Sequence, residues 1–575
     1  MVYKDIDAAM QLLRTLHNSL APISLLPPEV LARVFHFLSL EEPPFSGKQE
    51  LGWIRATHVC QHWRQVALDD SSLWARISGM PTNIELLSEM LARARNAPLD
   101  IDIDLDGTPY PELILLMFPP HLSHTHKLSL HAATSLYLDS FRDIYIQEAP
   151  SLEHFELESD TSPIIFRELG GTTLFKGKAP RLRTLTLFQV FIPWALIPRG
   201  QLTQLEITLV DEISIKDFSW HGNLNQLIDL LVNCPELEVL ILDACLPPLL
   251  THFPCGQTIH LPHLSRLRLG GSSYRITNLL TMLKIPSSTT LQLYCTSEND
   301  LTYNDHFLLP VVSAHLQSSA DAPPIEFKIL AVNLSCTGRL LEVTASTSLP
   351  IPQSQDLEKA VDEEEFVLSF DGLPVHGHGM DLIERVCEIL PISNLEFLSI
   401  SAPVRVDPLN WVELFRRCTK ITTMQTIGRG TSGLVRALTS PKVKNTRRDW
   451  KWKRMRCDNR GRTLAQPAAS HTPAPIFPKL TFLSLKRLDF AENEQPSGIL
   501  FDIVQKGLRQ RSVGHRSPLR MLCIDDCTIS AKRANALQRL VQKFHWDEKR
   551  HFLEEHNFGD SDELLSWWKI FFDGG

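Results

Sequence analysis

The sequence predicts an α/β fold in which a short helical unit precedes a long, irregular solenoid, with parallel strands on one side and helices on the other. Near the N-terminus, apolar residues recur at helical spacing. Farther along, the pattern L-x-x-L-x-L recurs, and such alternation is typical of a short strand that buries one face. Stretches with helical spacing, LNQLIDLLVNC and MDLIERVCEIL, precede two of these copies. Strands that alternate with helices indicate a parallel sheet.

Composition excludes several classes of protein. With 575 residues, of which 43% are hydrophobic, the chain can build a large core. A net charge of −9 argues against general nucleic-acid binding, and no apolar stretch approaches the roughly 20 residues that span a bilayer. The 11 cysteines are scattered, without a CxxC pair, as expected for reduced thiols. We therefore expect a cytoplasmic and/or nuclear protein with no cofactor and no membrane partner, and we do not expect nucleic acid as its partner.

Residues 1–20 are predicted to form an amphipathic helix that packs against the rest of the protein. Its apolar residues lie at roughly helical intervals: Ile6, Met10, Leu13, Leu16 and Leu20. Pro27 and Pro28 then fit a turn and the first positions of a second helix, and Glu29 suits the N-terminal end of a helix dipole. This helix is apolar on more than one face, so either a core encloses it or a partner covers it. Its apolar residues are Val30, Leu31, Val34, Phe35 and Leu38.

Two further elements complete this helical unit. The stretch LGWIRATHVCQHWRQVAL predicts one helix, with candidate buried positions at Trp53, Ile54, Val59, Trp63 and Val66. The stretch DDSSLW begins a third element, whose Leu73 and Trp74 are expected to bury against the first two. A helical unit of about 55 residues is small for an independent core, so a docking partner would stabilise it.

These residues, in this order, resemble an F-box. The resemblance rests on Leu26-Pro27-x-Glu29-x-Leu31-x-x-Val34-Phe35-x-x-Leu38, then Val59-Cys60-x-x-Trp63-Arg64, then Leu73-Trp74. The F-box is the module through which substrate receptors of SCF-type cullin–RING ubiquitin ligases bind the Skp adaptor. The segment that follows, NIELLSEMLARARNAPLDIDIDL, resembles the version in the large F-box families of mushroom-forming fungi. The alternative is a three-helix core without a partner.

The resemblance implies an F-box-like domain over 21–78 and a connecting helix over 79–98. The residues implied to bind the Skp adaptor are Leu26, Pro27, Glu29, Leu31, Val34, Phe35, Leu38, Val59, Cys60 and Trp63. The residues implied to form the F-box core are Arg64, Leu73 and Trp74. Trp63 and Trp74 are expected mainly to hold the three helical elements together.

Residues 99–545 are predicted to form a leucine-rich-repeat-like solenoid. The clear copies of the pattern are PSLEHFEL, PRLRTLTL, GQLTQLEI, PELEVLILDAC, PHLSRLRL, SNLEFLSI, PKLTFLSL and PLRMLCIDDC. No copy can bury its own apolar face, so neighbouring copies stack. Cys245 and Cys527 lie three residues after the last apolar strand position, where such repeats often carry Cys or Asn to bond the turn backbone. These thiols are therefore predicted to be structural.

The copies are irregular, and none can be placed securely between Leu293 and Leu395. Within that interval IEFKILAVNL and EEFVLSF are predicted strands, and 350–365 is predicted to be an exposed, proline-rich and acidic loop. Residues 546–575 are predicted to be a C-terminal tail.

A basic insertion is predicted over 441–476, outside the repeat core. Its first part, PKVKNTRRDWKWKRMRCDNRGR, holds ten Lys or Arg residues against two Asp, with Trp450 and Trp452 interleaved. Several interpretations stay open: a disordered insertion between repeats, translated non-coding sequence, a nuclear import signal, a site for a phosphorylated substrate, and a site for single-stranded nucleic acid.

A histidine-rich stretch, HLSHTHKLSLH, supplies His121, His124, His126 and His131. On a strand His124 and His126 would share a face, where a metal could bridge them. Carboxylates or cysteines to complete a site are not evident nearby, so we expect an edge strand with solvated histidines and no metal. No nucleophile elbow, phosphate loop, dinucleotide fingerprint or zinc-protease helix is present in the sequence, and we do not expect an enzyme.

The function that the resemblance implies is substrate recognition in an SCF-type ubiquitin ligase. The F-box would bind the Skp adaptor and, through it, cullin, while the repeats would bind an unknown protein substrate. The alternative is a non-degradative repeat scaffold whose F-box does not assemble a ligase. An undetected enzyme would instead require a clustered polar pocket with perturbed titratable groups.

Overall fold

The structure, a computed structural model, describes most of the chain. Besides scattered positions between 6 and 18, the described residues are 20–46, 51–132, 138–159, 164–165, 173–209, 223–247, 258–296, 305–317, 325–348, 365–373, 378–402, 414–415, 417–438, 477–491, 493–494, 498–512 and 519–548. They divide into two compact units, Met1–Leu269 with Met282–Pro286, and Gly270–Thr281 with Ser287–Gly575. Within the described residues, no helix combines the length and the apolar character that crossing a membrane requires.

The first unit begins with two α-helices, α1 (Pro28–Glu41) and α2 (Gln61–Asp69), and two 3₁₀ turns, Gly52–His58 and Ser71–Trp74. Their shared core is aromatic and aliphatic. The fully buried side chains include Leu31, Phe35, Trp53, Leu73 and Trp74. The rings of Trp53 and Trp74 lie 5.1 Å apart, and the Trp74 indole N–H donates to the Ala67 carbonyl over 2.7 Å. The predicted burial of Leu73 and Trp74 is confirmed.

The prediction of one continuous helix over LGWIRATHVCQHWRQVAL is wrong. The chain breaks at Cys60, whose backbone is extended (φ −156°, ψ 169°) and whose Sγ accepts a hydrogen bond from the Trp63 N–H over 3.5 Å. This thiol therefore caps α2, and the 3₁₀ turn before it ends separately. The break leaves Val59 58% exposed, so its predicted burial is also wrong, whereas Trp53, Ile54 and Val66 are buried as predicted.

Residues 1–20 do not pack through the predicted apolar face. The described positions among 6–18 are helical. However, the apolar side chains of this segment are 47–81% exposed: Ile6, Met10, Leu13, Leu16 and Leu20. The helical spacing is therefore confirmed where it is described, and the predicted burial is wrong.

Eight parallel strands follow in the first unit, and each pairs with the next in chain order. They are β1 (Arg76–Gly79), β2 (Leu99–Asp104), β3 (Thr125–Ala132), β4 (His154–Ser159), β5 (Thr184–Phe188), β6 (Gln204–Thr208), β7 (Val239–Asp243) and β8 (Arg266–Ser272). The helices of this unit between them are α3 (Ile84–Ala94), α4 (Pro111–Met117), α5 (Leu138–Tyr145) and α6 (Leu224–Val232). Two-residue strands also pair in parallel, Ile164–Ile165 with Val190–Phe191 and Ile259–His260 with Leu283–Lys284.

The leucines of the repeated pattern occupy one face of this sheet. In the copy PELEVLILDAC, Leu237, Leu240 and Leu242 are fully buried, and Val239 and Ile241 point to the other, half-buried face. Leu240 lies in register between Leu205 and Leu267 of the adjacent copies. The strands and the buried leucines predicted for the five copies in this unit are confirmed. Stacking of equivalent leucines supplies the core that no single copy has.

Among the described residues, the second unit contributes nine strands to its main sheet: β9 (Thr290–Thr296), β10 (Ile329–Leu334), β11 (Leu340–Ser346), β12 (Phe366–Asp371), β13 (Phe397–Ser401), β14 (Thr423–Ile427), β15 (Phe482–Lys486), β16 (Met521–Asp525) and β17 (Lys543–Trp546). Two-residue strands, Asn493–Glu494 and Gly498–Ile499, pair separately and run antiparallel. Its helices are α7 (Ser273–Met282), α8 (Asp305–Gln317), α9 (His378–Ile389), α10 (Ser432–Ala437), α11 (Leu500–Ser512) and α12 (Ala531–Gln538). The strands IEFKILAVNL and EEFVLSF are confirmed as β10 and β12. The strand order is β9-β12-β11-β10-β13-β14-β15-β16-β17.

Within the main sheet of this unit, β11 departs from the predicted all-parallel arrangement. β11 runs antiparallel to β10 on one side and to β12 on the other. The connection from β10 to β11 is short, and hydrogen bonds of Ser335 close it. The Ser335 N–H donates to the Leu340 carbonyl over 2.9 Å, and the Ser335 carbonyl accepts from the Gly338 N–H over 2.9 Å. A connection of this length joins only antiparallel strands, because a parallel pair needs a crossover.

Three predicted segments lie wholly or largely outside the described residues. They are the acidic loop at 350–365, of which only Glu365 is described, the basic insertion at 441–476, and the C-terminal tail at 546–575 beyond Glu548. The predictions for them stay predictions.

Candidate protein-docking site

Helix α1 has two apolar faces. On the inner face Leu31 and Phe35 are 0% and 1% exposed, and the Phe35 ring lies 5.4 Å from that of Trp63. Val30, Val34 and Phe37 follow a 3–4-residue spacing on another face and are 43%, 42% and 71% exposed. The inner face anchors the helix, and the outer face keeps much of its apolar area exposed. An apolar face of this kind is typical of an interaction surface.

Other exposed apolar side chains lie in the same part of the chain. Among the described residues, 20 large apolar side chains are exposed, and 12 of them lie within the first 59 positions. Those between residues 21 and 78, besides the α1 outer face, are Ile23, Leu25, Leu40 and Val59. The concentration in one short segment separates these residues from the isolated apolar side chains that any protein surface carries.

The structure corrects the predicted position of Phe35 and Leu31. Both were expected on the adaptor-binding surface, and both are buried in the core, where the Phe35 ring packs against that of Trp63. Of the other residues predicted to bind the adaptor, the exposed ones are Pro27, Glu29, Val34 and Val59, and the half-buried ones are Leu26, Leu38, Cys60 and Trp63.

Arg64 was predicted to belong to the F-box core, and this placement is wrong. Its side chain is exposed, and its Nε–H donates to the Thr57 carbonyl over 3.1 Å. The guanidinium therefore ties the start of α2 to the preceding 3₁₀ turn from the outside. A charged group remains at the surface, where its hydration is retained.

Sequence reasoning missed Phe37, the most exposed side chain of the α1 outer face. The signal was present, because Val30, Val34 and Phe37 follow the i, i+4, i+7 spacing of one helix face. The pattern that resembles an F-box contains Phe35 instead, which lies two residues earlier and therefore on a different face.

Polar contacts fix α1 against the elements behind it. Pro28 occupies the first turn of the helix, where a missing N–H costs no hydrogen bond. His36 Nε2 lies 3.0 Å from Asp70 Oδ2, at the start of the 3₁₀ turn that carries Trp74. Partial burial opposes ionisation of Asp70, but hydrogen bonds from Ser72 and His36 outweigh it and hold the pKa of this carboxyl below its usual value.

The polar face of the sheet in the first unit carries a network of charges. In register, Asp102 of β2, Ser129 of β3 and Glu156 of β4 lie side by side. His131 lies between two carboxylates, with Nδ1 at 2.8 Å from Glu158 and Nε2 at 3.3 Å from Asp102. The hydrogen bond to Asp102 outweighs desolvation and, with that to Glu158, raises the pKa of His131 to about 9. The hydrogen bond from His131, together with Lys127, lowers the pKa of Asp102 to about 2 despite partial burial.

This network makes stability depend on pH in two windows. The folded pKa of His131 is raised from 6.5 to about 9, so its contribution is complete below pH 6.5 and is lost as pH rises through 9. The folded pKa of Asp102 is lowered from 3.8 to about 2, so its contribution is present above pH 3.8 and is lost as pH falls through 2. We expect His131→Gln to be most destabilising between pH 3.8 and pH 6.5, where both contributions are complete. Its effect should shrink as the pH rises towards 9. Urea unfolding of both proteins across this range measures the difference, and an effect that is constant with pH would contradict it.

The sequence predicted that the histidine-rich stretch forms an edge strand, and this prediction is wrong. β3 pairs with β2 on one side and with β4 on the other. His124 ends the 3₁₀ turn Pro119–His124 and its ring contacts that of His121 at 5.4 Å, so it does not share a strand face with His126. Carboxylates do lie near His126, from neighbouring strands: Nδ1 is 3.3 Å from Asp100 and Nε2 is 3.2 Å from Glu153.

The predicted structural role of Cys245 and Cys527 is confirmed by their contacts. Both thiols are fully buried, and their Sγ atoms donate to the carbonyls of Ile207 (3.6 Å) and Leu485 (3.5 Å) in the preceding copies. Cys527 Sγ also accepts from the Leu488 N–H over 3.4 Å. Burial raises the pKa of each thiol far above its usual value, so neither forms the thiolate that reactive cysteines need.

Comparison with known proteins agrees with the geometry of the N-terminal elements. A protein-family model described as F-box-like matches residues 23–79, which span the turn before α1, both α-helices and the Trp74 turn. No curated protein matches the chain. F-box domains generally bind Skp adaptors. Residues 23–79 are therefore an F-box-like segment, close to the boundaries 21–78 that the sequence predicted.

Proposed function

We propose that the protein is a substrate-recognition adaptor of an SCF-type cullin–RING ubiquitin ligase. The observation that carries the proposal is the exposed apolar outer face of α1, Val30, Val34 and Phe37, inside the F-box-like segment. On this proposal the outer face binds a Skp adaptor, which links the protein to cullin. Burial of a Val or Phe side chain from full exposure is worth about 1.5–3 kcal/mol. Val30 and Val34 are 43% and 42% exposed, so each would gain about half of this, and Phe37, at 71%, would gain the most.

The proposed surface is rigid before it binds. Leu31 and Phe35 hold α1 from behind, and the His36–Asp70 contact ties its middle to the Trp74 turn. An interface that is already ordered loses little conformational entropy when it forms, which improves affinity for a given buried area. The core therefore contributes to binding indirectly, although it does not touch the adaptor.

The leucine-rich-repeat-like array is the proposed substrate-binding part. In the copies of the first unit, buried leucines stack on one side of the sheet, and half-buried side chains, most of them polar, line the other. Such a face presents many side chains in regular rows without disturbing the core, which suits recognition of a protein segment. On this proposal, the protein itself catalyses no reaction. It increases the local concentration of a substrate lysine near a charged ubiquitin-conjugating enzyme.

The double variant Val34→Asp with Phe37→Asp tests the proposal. We expect it to lose the Skp adaptor and cullin in co-purification, because truncation of a hot spot costs roughly 2 kcal/mol, about 30-fold in affinity, and a buried unpaired carboxylate costs more. The matched control is Val232→Asp with Phe307→Asp. These side chains are similarly exposed, at 45% and 63%, on helices α6 and α8.

Circular dichroism must first show that both variants retain their helices. Full retention of adaptor and cullin by the Val34/Phe37 variant would overturn the proposed docking surface. Capture of the Skp adaptor by the wild type without any cullin would instead favour the non-degradative scaffold.

A further inference from the structure

A cluster of histidines and carboxylates lies on the polar face of the first sheet. It consists of His126 on β3, His154 at the start of β4, and Glu153 directly before it. One potential ligand atom from each of the three side chains lies within 4.8 Å of the other two. We propose that these three side chains bind a divalent transition-metal ion of the zinc class.

The backbone brings the three side chains together. The Glu153 N–H donates to the His126 carbonyl over 2.9 Å, and Lys127 is in register with His154. These are ladder contacts of two paired strands inside a sheet, so the Cα positions are set by the fold and not by the side chains. A site on adjacent strands needs only side-chain rotation to close around an ion.

The distances suit a small ion. His126 Nε2 lies 3.2 Å from Glu153 Oε2, and the rings of His126 and His154 are 5.6 Å apart at 68° to each other. Bonds of 2.0–2.2 Å to a tetrahedral Zn²⁺ place its ligand atoms about 3.3–3.6 Å apart. The His126–Glu153 separation is slightly shorter than this range, and the ligand atom of His154 lies within 4.8 Å of both, so rotation of the three side chains would bring them around one ion.

An independent feature is the carboxylate behind His126. Asp100 Oδ1 lies 3.3 Å from His126 Nδ1, on the opposite side of the ring from Glu153. When Nδ1 donates its proton to Asp100, the lone pair of Nε2 points to Glu153 and is available to a metal. A carboxylate that orients a ligand histidine in this way is the usual partner of histidines in zinc sites.

The ligand set indicates the class of ion. Two imidazoles with one carboxylate favour Zn²⁺, Co²⁺, Ni²⁺ and Cu²⁺ over Mg²⁺ and Ca²⁺, which prefer oxygen ligands. The carboxylate of Glu153 offsets part of the charge of a divalent ion, and that of Asp100, which also lies 3.9 Å from the Arg76 guanidinium, contributes less. The His126 and Glu153 side chains are 39% and 30% exposed, so an ion can enter from solvent and a water can occupy the fourth position.

His131 provides a contrast on the same strand. Its ring nitrogens contact two carboxylates, as those of His126 do, but here the hydrogen bonds to Asp102 and Glu158 raise the pKa of the ring to about 9. Among the described residues, His131 also belongs to no group of three potential metal ligands. An imidazolium in that setting has no lone pair for a metal. The two clusters therefore have similar composition and different capacity, which makes His131 the matched control.

The test uses the full-length protein without a polyhistidine tag, stripped of metal with a chelator and titrated with Co²⁺ and then Zn²⁺. We expect a tetrahedral Co²⁺ absorption spectrum, displaced by Zn²⁺, and a melting temperature that rises with Zn²⁺ but not with Mg²⁺. His126→Ala or His154→Ala should abolish the spectrum, and Asp100→Asn should weaken affinity by about 10–100-fold. His131→Ala should leave binding unchanged.

A wild type without the Co²⁺ spectrum would overturn the proposal, and so would a spectrum that persists in both His126→Ala and His154→Ala. Glu153→Gln gives a second readout that does not remove an imidazole, since it should lower affinity while circular dichroism stays unchanged. The outcome does not depend on whether α1 binds a Skp adaptor.

Discussion

Phe35→Ala is expected to destabilise the F-box-like segment by about 3–5 kcal/mol, the usual cost of truncating a fully buried phenylalanine. The Phe35 ring is 1% exposed and packs against Trp63, so its removal leaves a cavity between α1 and α2. Regional hydrogen exchange measures this best, because residues 21–78 should lose protection while the strands from β3 onwards keep theirs.

Phe37→Ala is the control for this prediction. Phe37 is 71% exposed on the same helix, so its truncation should change stability by no more than about 0.5 kcal/mol. On the proposed function it should nevertheless weaken adaptor binding. If Phe35→Ala left protection of residues 21–78 unchanged, the assignment of the inner and outer faces of α1 would be wrong.

Leu240→Asp is expected to unfold the repeats around β7, at a cost above about 4 kcal/mol. Leu240 is fully buried in register between Leu205 and Leu267, so the new carboxylate would lie among leucines with no partner. In stacked repeats, loss of one layer also weakens its neighbours, because each copy is stabilised by the adjacent ones. Chemical unfolding monitored by circular dichroism should show a lower midpoint or a separate early transition.

The neighbouring substitution Ile241→Asp separates burial from strand propensity. Ile241 is half-buried on the polar face, in register with Glu206 and Arg268. Its replacement should cost about 1 kcal/mol or less, the range of strand propensities. Equal destabilisation by the two variants would contradict the assignment of Leu240 to the stacked core.

The sequence predicted the strands and the buried leucines of the first unit well, because the leucines of each clear copy have the same environment. Leu185, Leu205, Leu240 and Leu267 each meet the equivalent leucine of the next copy, so a local pattern is sufficient to assign them. β14 was missed because Thr426 replaces the last leucine of the pattern. Thr426 is nevertheless fully buried, and its hydroxyl donates to the Ser484 carbonyl over 3.5 Å, a partner that periodicity does not reveal.

The errors concern contacts between residues that are distant in sequence. Helix α1 is apolar on the faces of both Phe35 and Phe37, so its own sequence does not show which face is buried. The contact with Trp63, which lies 28 positions after Phe35, places Phe35 inside. His126 was judged to lack carboxylates, because Asp100 and Glu153 are 26 and 27 positions away along the chain and become neighbours only through strand pairing. The short hairpin that makes β11 antiparallel likewise interrupts a stretch where no repeat was assignable.

The hairpin of β10 and β11 has a consequence for the order in which the second unit can form. In the first unit each strand pairs with the next in the chain, so structure can grow by adding one copy at a time. In the second, Leu291 of β9 pairs with Phe366 of β12, and Ile329 of β10 pairs with Phe397 of β13. These pairings close long loops before they gain contacts, which slows folding. The segment from Thr290 to Ser401 should therefore fold as a single cooperative block, and a nascent chain truncated anywhere inside it should remain without its native strand order.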